Sequence, residues 1–299
     1  MKHLFILNPV AGTEKTRKNI LEKIHAAAAK LRCDYEIYIT KAPGDARRYI
    51  ASYDPAVSAR FYAIGGDGTL NEAVNGILER KGRSELAIIP CGTGNDFARV
   101  FPKETPFFDL EKQLLAEAAP ADAYRTDTGL CGINMVNIGI DAQTAADVHK
   151  FSRFFPGSLA YIVSLINRFL RPIGMDMKIS IDGEAPFSAS CALSSFANGK
   201  ACGGGFYSSP KAEINDGLLE ITTVRKVTKL QFLRLVGGYK SGTYLDAPQY
   251  APFVRYRRGQ RVTLETKTPT EICIDGEIVK TDHITVEILP AALRLAIPK

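Results

Sequence analysis

Among the six cysteines, at positions 33, 91, 131, 191, 202 and 273, no two form a CxxC pair, and none of the four histidines sits at ligand spacing from any of them. That argues against a zinc site. No apolar run reaches the ~18–20 residues needed to span a bilayer. The start carries no basic n-region followed by an apolar h-region, so the expected compartment is the reducing cytoplasm. There is no GxxxxGK[ST] anywhere, which excludes a Walker-type phosphate loop, and no zinc-finger, RNP or basic-zipper pattern, which leaves nucleic acid as the least favoured partner. What the chain does have is length, 299 residues, enough for two cores, and an ordinary globular composition of 45% hydrophobic and 23% charged residues. A net charge of +6 favours anionic partners such as nucleotide phosphates or acidic headgroups.

Residues 1–124 alternate strand and helix signals. Apolar runs at His3–Leu7, Tyr35–Ile39, Phe61–Ile64 and Leu86–Ile89 are separated by helical spacings such as Ile20, Leu21, Ile24, Ala28 and Leu31. Asp45 is placed to cap a short helix through Ile50. Such repetition predicts an α/β domain with a parallel sheet and helices on both faces, which binds ligands beyond the carboxyl ends of its strands. From about residue 125 the texture turns to strand runs (Met175–Ile181, Ala189–Ser195, Leu218–Val224, Arg261–Leu264, Glu271–Ile274, Ile284–Ile288) with hairpin turns at Asp182-Gly183 and Asp275-Gly276. Residues 125–288 therefore read as an all-β domain, a sandwich or flattened barrel, interrupted by helical patterns at Leu159–Leu170 and Leu230–Val236. The tail, 289–299, is expected to return to the first domain.

Two glycine-acid loops stand at the ends of the third and fourth strands. In GGDGTLNE, Gly65–Glu72, the glycines permit close backbone approach to an anion. Asp67 lies among them, and a carboxylate beside phosphate calls for an intervening cation such as Mg²⁺. Thr69 is placed either to cap the next helix or to reach a phosphate. In GTGND, Gly92–Asp96, glycines flank Thr93, and Asn95 and Asp96 follow. A single loop of this kind is as often a tight turn with an Asp cap; two in register point to one nucleotide site and phosphoryl transfer. Neither fits GxGxxG, since Asn71 and Phe97 occupy the third glycine position, which disfavours a dinucleotide dehydrogenase. The turn Asn8-Pro9-Val10-Ala11-Gly12 after the first strand reads as a third phosphate-facing loop or as a plain connection.

NPVAG, GGDGTLNEAVNGI, IPCGTGNDFAR, NDGLLE and the later IDGE together resemble the diacylglycerol kinase catalytic family, in its bacterial lipid kinase form, along nearly the whole chain. Sphingosine and ceramide kinases have similar motifs; NAD kinases share GGDGT but not GTGNDFAR. The resemblance implies a nucleotide domain related to 6-phosphofructokinase, a β-sandwich domain after it, and transfer of the ATP γ-phosphate to a lipid hydroxyl, most directly that of diacylglycerol. It implies nucleotide contacts at Asn8, Pro9, Val10, Ala11, Gly12, Thr40, Gly66, Asp67, Gly68, Thr69, Leu70, Asn71, Glu72 and Thr93. A lipid hydroxyl needs a carboxylate to take its proton. IDGE occurs twice, at Ile181–Glu184 and Ile274–Glu277. The second copy matches the family's catalytic turn by its place near the C-terminus, so Glu277 is the expected base and Glu184 structural. With the base on one domain and ATP on the other, the expected site is an interdomain cleft whose closure excludes water. A second, structural Mg²⁺ is implied at Asp216 with the main-chain carbonyls of Glu213 and Leu218. Asp122, with Asp67 and Asp96, is expected to complete an acidic cluster for the catalytic Mg²⁺.

On the acceptor side, the apolar segment Phe151–Pro172, with Phe154, Phe155, Leu159, Tyr161, Ile162, Val163, Leu165, Ile166, Phe169 and Leu170, is flanked by Lys150, Arg153, Arg168 and Arg171. It reads equally as a membrane-interface element and as a core helix. A second basic cluster at Arg255, Arg257, Arg258 and Arg261 reads as a headgroup-facing patch or as a solvated strand edge. Transient peripheral membrane association is expected, and the resemblance is compatible with a homodimer. The rival readings are a kinase for a sphingoid base, ceramide or another lipid alcohol, an NAD kinase, and a regulator that binds nucleotide or lipid without turnover.

Overall fold

A computed structural model describes residues 1–151, 158–171 and 173–299. The chain forms two compact units, Met1–Asp122 with Ala291–Lys299, and Ala123–Pro290.

In the first unit the alternation of elements runs β1 (Lys2–Leu7), α1 (Glu14–Leu31), β2 (Tyr35–Ile39), α2 (Asp45–Ser52), β3 (Ala59–Gly65), α3 (Asp67–Glu79), β4 (Ser84–Pro90), α4 (Leu110–Leu115) and the start of β5 (Ala118–Thr126). β1 pairs in parallel with both β2 and β3, and β3 with β4. The chain's last strand adds to this sheet through Leu295 and Ala296, parallel to Leu86 and Ala87. β3 is buried along its whole length. A continuous apolar run is what a parallel strand covered on both faces requires. Phe5, Tyr62, Ile64 and Ile89 pack there against Ile20 and Ile24 of α1. Each such side chain contributes roughly 1.5–3 kcal/mol on burial. α1 starts at Thr13, whose side chain accepts from Thr16 N–H, and ends at Arg32 in the left-handed region. Asp45 does not cap α2: Gly44, at φ 78°, holds the cap position, and Asp45 Oδ2 instead accepts from Lys41 N–H at 2.8 Å.

The second unit contains the end of β5, then β6 (Cys131–Gly132), β7 (Met135–Gly139), α5 (Ile140–Phe151), α6 (Ser158–Leu170), β8 (Met175–Ile181), β9 (Phe187–Ala197), β10 (Leu219–Arg225), α7 (Lys229–Ser241), β11 (Val254–Gly259), β12 (Arg261–Ile274) and most of β13 (Glu277–Ala296). Its ladders are antiparallel. β9 and β12 are each long enough to pair with β8 along one half and β7 along the other. That closes a flattened, sandwich-like layer pair around Val136, Ile138, Ile179, Phe196, Leu264 and Ile272. Arg261–Leu264 and Glu271–Ile274 belong to one strand, broken in register between Glu265 and Thr270. A second apolar cluster joins Ile140, Leu193, Val224, Leu235, Tyr239 and Tyr244 under α7. Arg153, Phe154, Phe155 and Pro172 of the apolar segment lie outside the described residues, as do the side chains of Lys150, Leu159, Tyr161, Ile162 and Leu165. No helix among the described residues is long and apolar enough to cross a membrane.

Candidate active site

Three loops meet at the carboxyl ends of β1, β3 and β4. Cys91 and Gly92 both donate backbone N–H groups to Gly65 O, at 2.9 and 3.2 Å, which sets the GGDGT and GTGND loops face to face. The approach is so close that a Cβ on Gly92 would stand 2.4 Å from Gly66 Cα, and one on Gly65 would stand 2.2 Å from Thr69 Oγ1. Glycine is therefore required here by space. Asn8 ties in the third loop: its Nδ2 donates to Thr69 Oγ1 at 3.0 Å and its Oδ1 accepts from Val10 N–H. Gly12, at φ 64°, faces Cys91 O. Arg17 donates to Ala11 O and Gly12 O and so holds the Asn8–Gly12 turn from behind. Thr69 thus serves as an acceptor between loops from the first turn of α3, whose cap position is held by Gly66 without a side-chain bond.

Asp67 is the carboxylate at the centre. Its Oδ1 accepts from Asp96 N–H at 2.8 Å and Phe97 N–H at 3.4 Å. Burial pushes the Asp67 carboxyl up, and the N–H donors of the facing loop pull it back. Its Oδ2 faces Gly94, on the side of the Asp96 carboxylate. Two hard carboxylate groups beside an anion cradle fit Mg²⁺, which takes one or two carboxylates and completes its shell with phosphate oxygens and water. Asp122 does not join them: its Oδ1 accepts from Ala291 N–H at 2.7 Å, and among the described residues no three acidic, histidine or cysteine side chains form a metal-holding group. Asp122 anchors the returning C-terminal segment instead.

Of the other residues expected at the nucleotide, Pro9, Val10, Gly12, Gly68 and Thr93 are exposed, Ala11 and Gly66 partly so, and Leu70 and Asn71 are buried in α3. Thr40 is buried and binds Leu7 O from the end of β2. Glu72 turns to another task, accepting from Gly44 N–H at 2.7 Å and Ala46 N–H at 3.0 Å, so that a carboxylate from α3 caps α2.

The two IDGE turns in the second unit differ in kind. Both have their Asp and Gly at positive φ, as a type I′ turn demands. At the first, Glu184 is held by both its oxygens on Arg257, at 3.0 Å. At the second, Glu277 opens β13 exposed, and among the described residues no hydrogen bond or ion pair takes up its carboxylate. Its neighbour Asp275 is the anchor. The Asp275 carboxylate accepts from Tyr124 OH at 2.6 Å and from the N–H groups of Ile133, Asn134 and Met135 at 2.7–3.2 Å. Burial raises the Asp275 carboxyl, with Tyr124 leading the donors that lower it. The turn bearing Glu277 is thus clamped to the entry of β7. Sequence reasoning missed both Asp275 and Tyr124, because Asp-Gly already had an explanation as a turn.

Asp216 accepts from Leu218 N–H at 3.1 Å and pairs through its other oxygen with Arg258, whose Nε binds the buried Glu220 at 2.8 Å. The structure supplies Asp216 with a cation of its own. A metal held by Asp216 with the main-chain carbonyls of Glu213 and Leu218 would have to share that carboxylate with Arg258.

A largely apolar cavity of about 40 Å³ opens in the second unit. It is walled by Leu193, Phe206, Val224, Phe232, Leu235 and Tyr244, and its polar element is Asp141, which accepts from Tyr239 OH at 2.6 Å. Burial pushes the Asp141 carboxyl up to about 6, against the pull of Tyr239. Cys273, two residues before the turn, has its thiol pushed up to about 12, first by burial and then by Asp275, Asp141 and Glu277. Asp141 and Glu277 therefore lie within electrostatic reach of one residue.

Family comparisons agree with this geometry. Residues 2–125 match the model for the diacylglycerol kinase catalytic domain, and residues 134–297 match that for the YegS C-terminal NAD kinase beta sandwich-like domain. A Staphylococcus epidermidis protein named "putative lipid kinase" is 28% identical over 264 residues, covering 87% of this chain and 84% of that protein. A similarly named Staphylococcus aureus protein is 25% identical over 290 residues, 93% of this chain and 92% of its own. Among solved structures, one titled a "putative diacylglycerol kinase" from Bacillus anthracis superposes with a TM-score of 0.78 at 27% identity, over 99% of this chain and 96% of that one. An NAD kinase from Archaeoglobus fulgidus in complex with ATP shares the fold at a TM-score of 0.53 and 12% identity, over 100% and 94% of the two chains.

Proposed function

The chain belongs to the diacylglycerol kinase catalytic family, and we propose that it is an ATP- and Mg²⁺-dependent lipid kinase that converts diacylglycerol to phosphatidic acid. The observation that carries this reading is the face-to-face pair of glycine loops with Asp67 held between them, an anion cradle with its own carboxylate. Backbone N–H groups of the loops orient the phosphates. Mg²⁺ held by Asp67 and Asp96 would neutralise charge on the transferred phosphoryl group.

The lipid's apolar body enters the cavity under α7, and Asp141 meets its polar end. Glu277 accepts the proton of the acceptor hydroxyl as that oxygen bonds to the γ-phosphorus and the bond to the bridging oxygen of ADP breaks. Asp275 and Tyr124 act as positioning residues by fixing the turn that carries Glu277.

One observation favours a second acceptor. A carboxylate at the wall of an apolar cavity, ionised above about pH 6, also suits the ammonium group of a sphingoid base. Transfer of labelled γ-phosphate to diacylglycerol, a sphingoid base, ceramide, monoacylglycerol and NAD in mixed micelles tests both. Label in phosphatidic acid supports the proposal, label in the sphingoid base moves it to the second acceptor, and label in NAD alone overturns it.

A further inference from the structure

α7 has two faces. Phe232, Leu235, Val236 and Tyr239 point into the cavity described above. On the other side Leu230 and Leu233 are 61% and 56% exposed, far more than a leucine on a helix packed over a core needs to be. The last turns of α6 continue this apolar surface: Ile166 is 56% and Leu170 68% exposed. The two helices are joined there. Lys229 Nζ donates to Leu170 O at 3.0 Å and lies over the Phe169 ring, and the rings of Phe169 and Phe232 stand 5.8 Å apart.

The charge along this stretch of the chain is basic. From Arg225 to Leu245 the chain carries Arg225, Lys226, Lys229, Arg234 and Lys240 and no acidic residue, and Arg171 adds one more beyond α6. All six are exposed. Exposed leucines beside a run of basic residues match an anionic bilayer, where apolar side chains enter the headgroup boundary and the basic residues meet its negative charge.

We propose that the outer face of α7, with the last turns of α6, is the surface by which this protein docks on an anionic lipid bilayer. The same helix would then stand with one face on the membrane and the other on the acceptor cavity, so a lipid leaving the bilayer is delivered to that cavity. This last point rests on the lipid kinase reading; the docking itself does not.

The test is flotation of the full chain with vesicles of phosphatidylglycerol and phosphatidylcholine, against vesicles of phosphatidylcholine alone, for the native protein and for Leu230→Glu with Leu233→Glu. The native protein is expected to float with the anionic vesicles and to lose the association in high salt. The double variant should bind at least about tenfold more weakly, while it turns over a short-chain diacylglycerol dispersed below its micelle concentration as the native protein does. Should that variant fold poorly by its thermal melt, Leu230→Ser with Leu233→Ser gives the same comparison. Native-like binding by the leucine variants, or no preference of the native protein for anionic vesicles, overturns the proposal. If the native protein floats but phosphorylates no lipid, docking stands and the kinase reading fails.

Discussion

The two candidate sites are built from opposite materials. In the first unit the nucleotide loops consist of backbone N–H groups, glycines that leave no room for a Cβ, and one carboxylate fixed by the facing loop. The residues involved are close together in sequence, and space forbids most substitutions. In the second unit the cavity is walled by side chains from α5, β9, β10, α7 and β11, elements far apart in the chain. Such walls can change one side chain at a time without disturbing the backbone. On the proposed reading, the phosphate donor would be met by a fixed cradle and the acceptor by an adjustable one.

The largest expected effect breaks the cradle's chemistry without its shape. Asp67→Asn keeps an oxygen for Asp96 N–H but removes the charge that fits Mg²⁺, so turnover should fall by at least about a hundredfold with little change in the thermal melt. Gly65→Ala tests the shape instead. Its Cβ overlaps Thr69 Oγ1, and it should cost about 1–3 kcal/mol in denaturant unfolding together with weakened ATP binding by calorimetry.

On the cavity side, Asp141→Asn should have the opposite sign for stability. A carboxyl raised to about 6 in the folded chain binds its proton more tightly than in the unfolded chain, so the native state is destabilised as pH rises from about 4 to 6 and fully so above 6. The variant should therefore be more stable than the native protein at pH 7, by up to about 3 kcal/mol, and no different near pH 4, while lipid turnover falls. Urea unfolding at the two pH values reads this directly. The smallest effect sharpens the positioning argument: Tyr124→Phe removes one donor to Asp275, costs about 1 kcal/mol, and should lower kcat more than the KM for ATP.

This contrast also explains what the sequence could disclose. The α/β half was readable because parallel strands are continuous apolar runs: Tyr35–Ile39 was found to the residue, and Phe61–Ile64 needed only its ends extended to Ala59–Gly65. β7 and α5 escaped. Met135–Gly139 is five residues with an asparagine in the middle, and Ile140–Phe151 has its alanines and polar groups spread around the helix. β11 read as a basic cluster because Arg255, Arg257 and Arg258 crowd a short edge strand. Among site residues, the loop positions were legible as motifs. Glu72 and Asp122 were not, because their partners, the α2 amides and Ala291 N–H, are supplied only by the fold. Asp141, Tyr124 and Asp275 were illegible for the same reason: nothing local distinguishes a carboxylate or a phenol that will be buried.

The measurement that bears most directly on the account is transfer of labelled γ-phosphate from ATP to diacylglycerol by the native chain and by Glu277→Gln, with ATP binding measured on both. The account predicts phosphatidic acid from the native chain, ATP binding by both, and a loss of about 10²–10⁴-fold in transfer for the variant. Native-like transfer by Glu277→Gln, or no transfer to any lipid alcohol by a native chain that binds ATP, would contradict it.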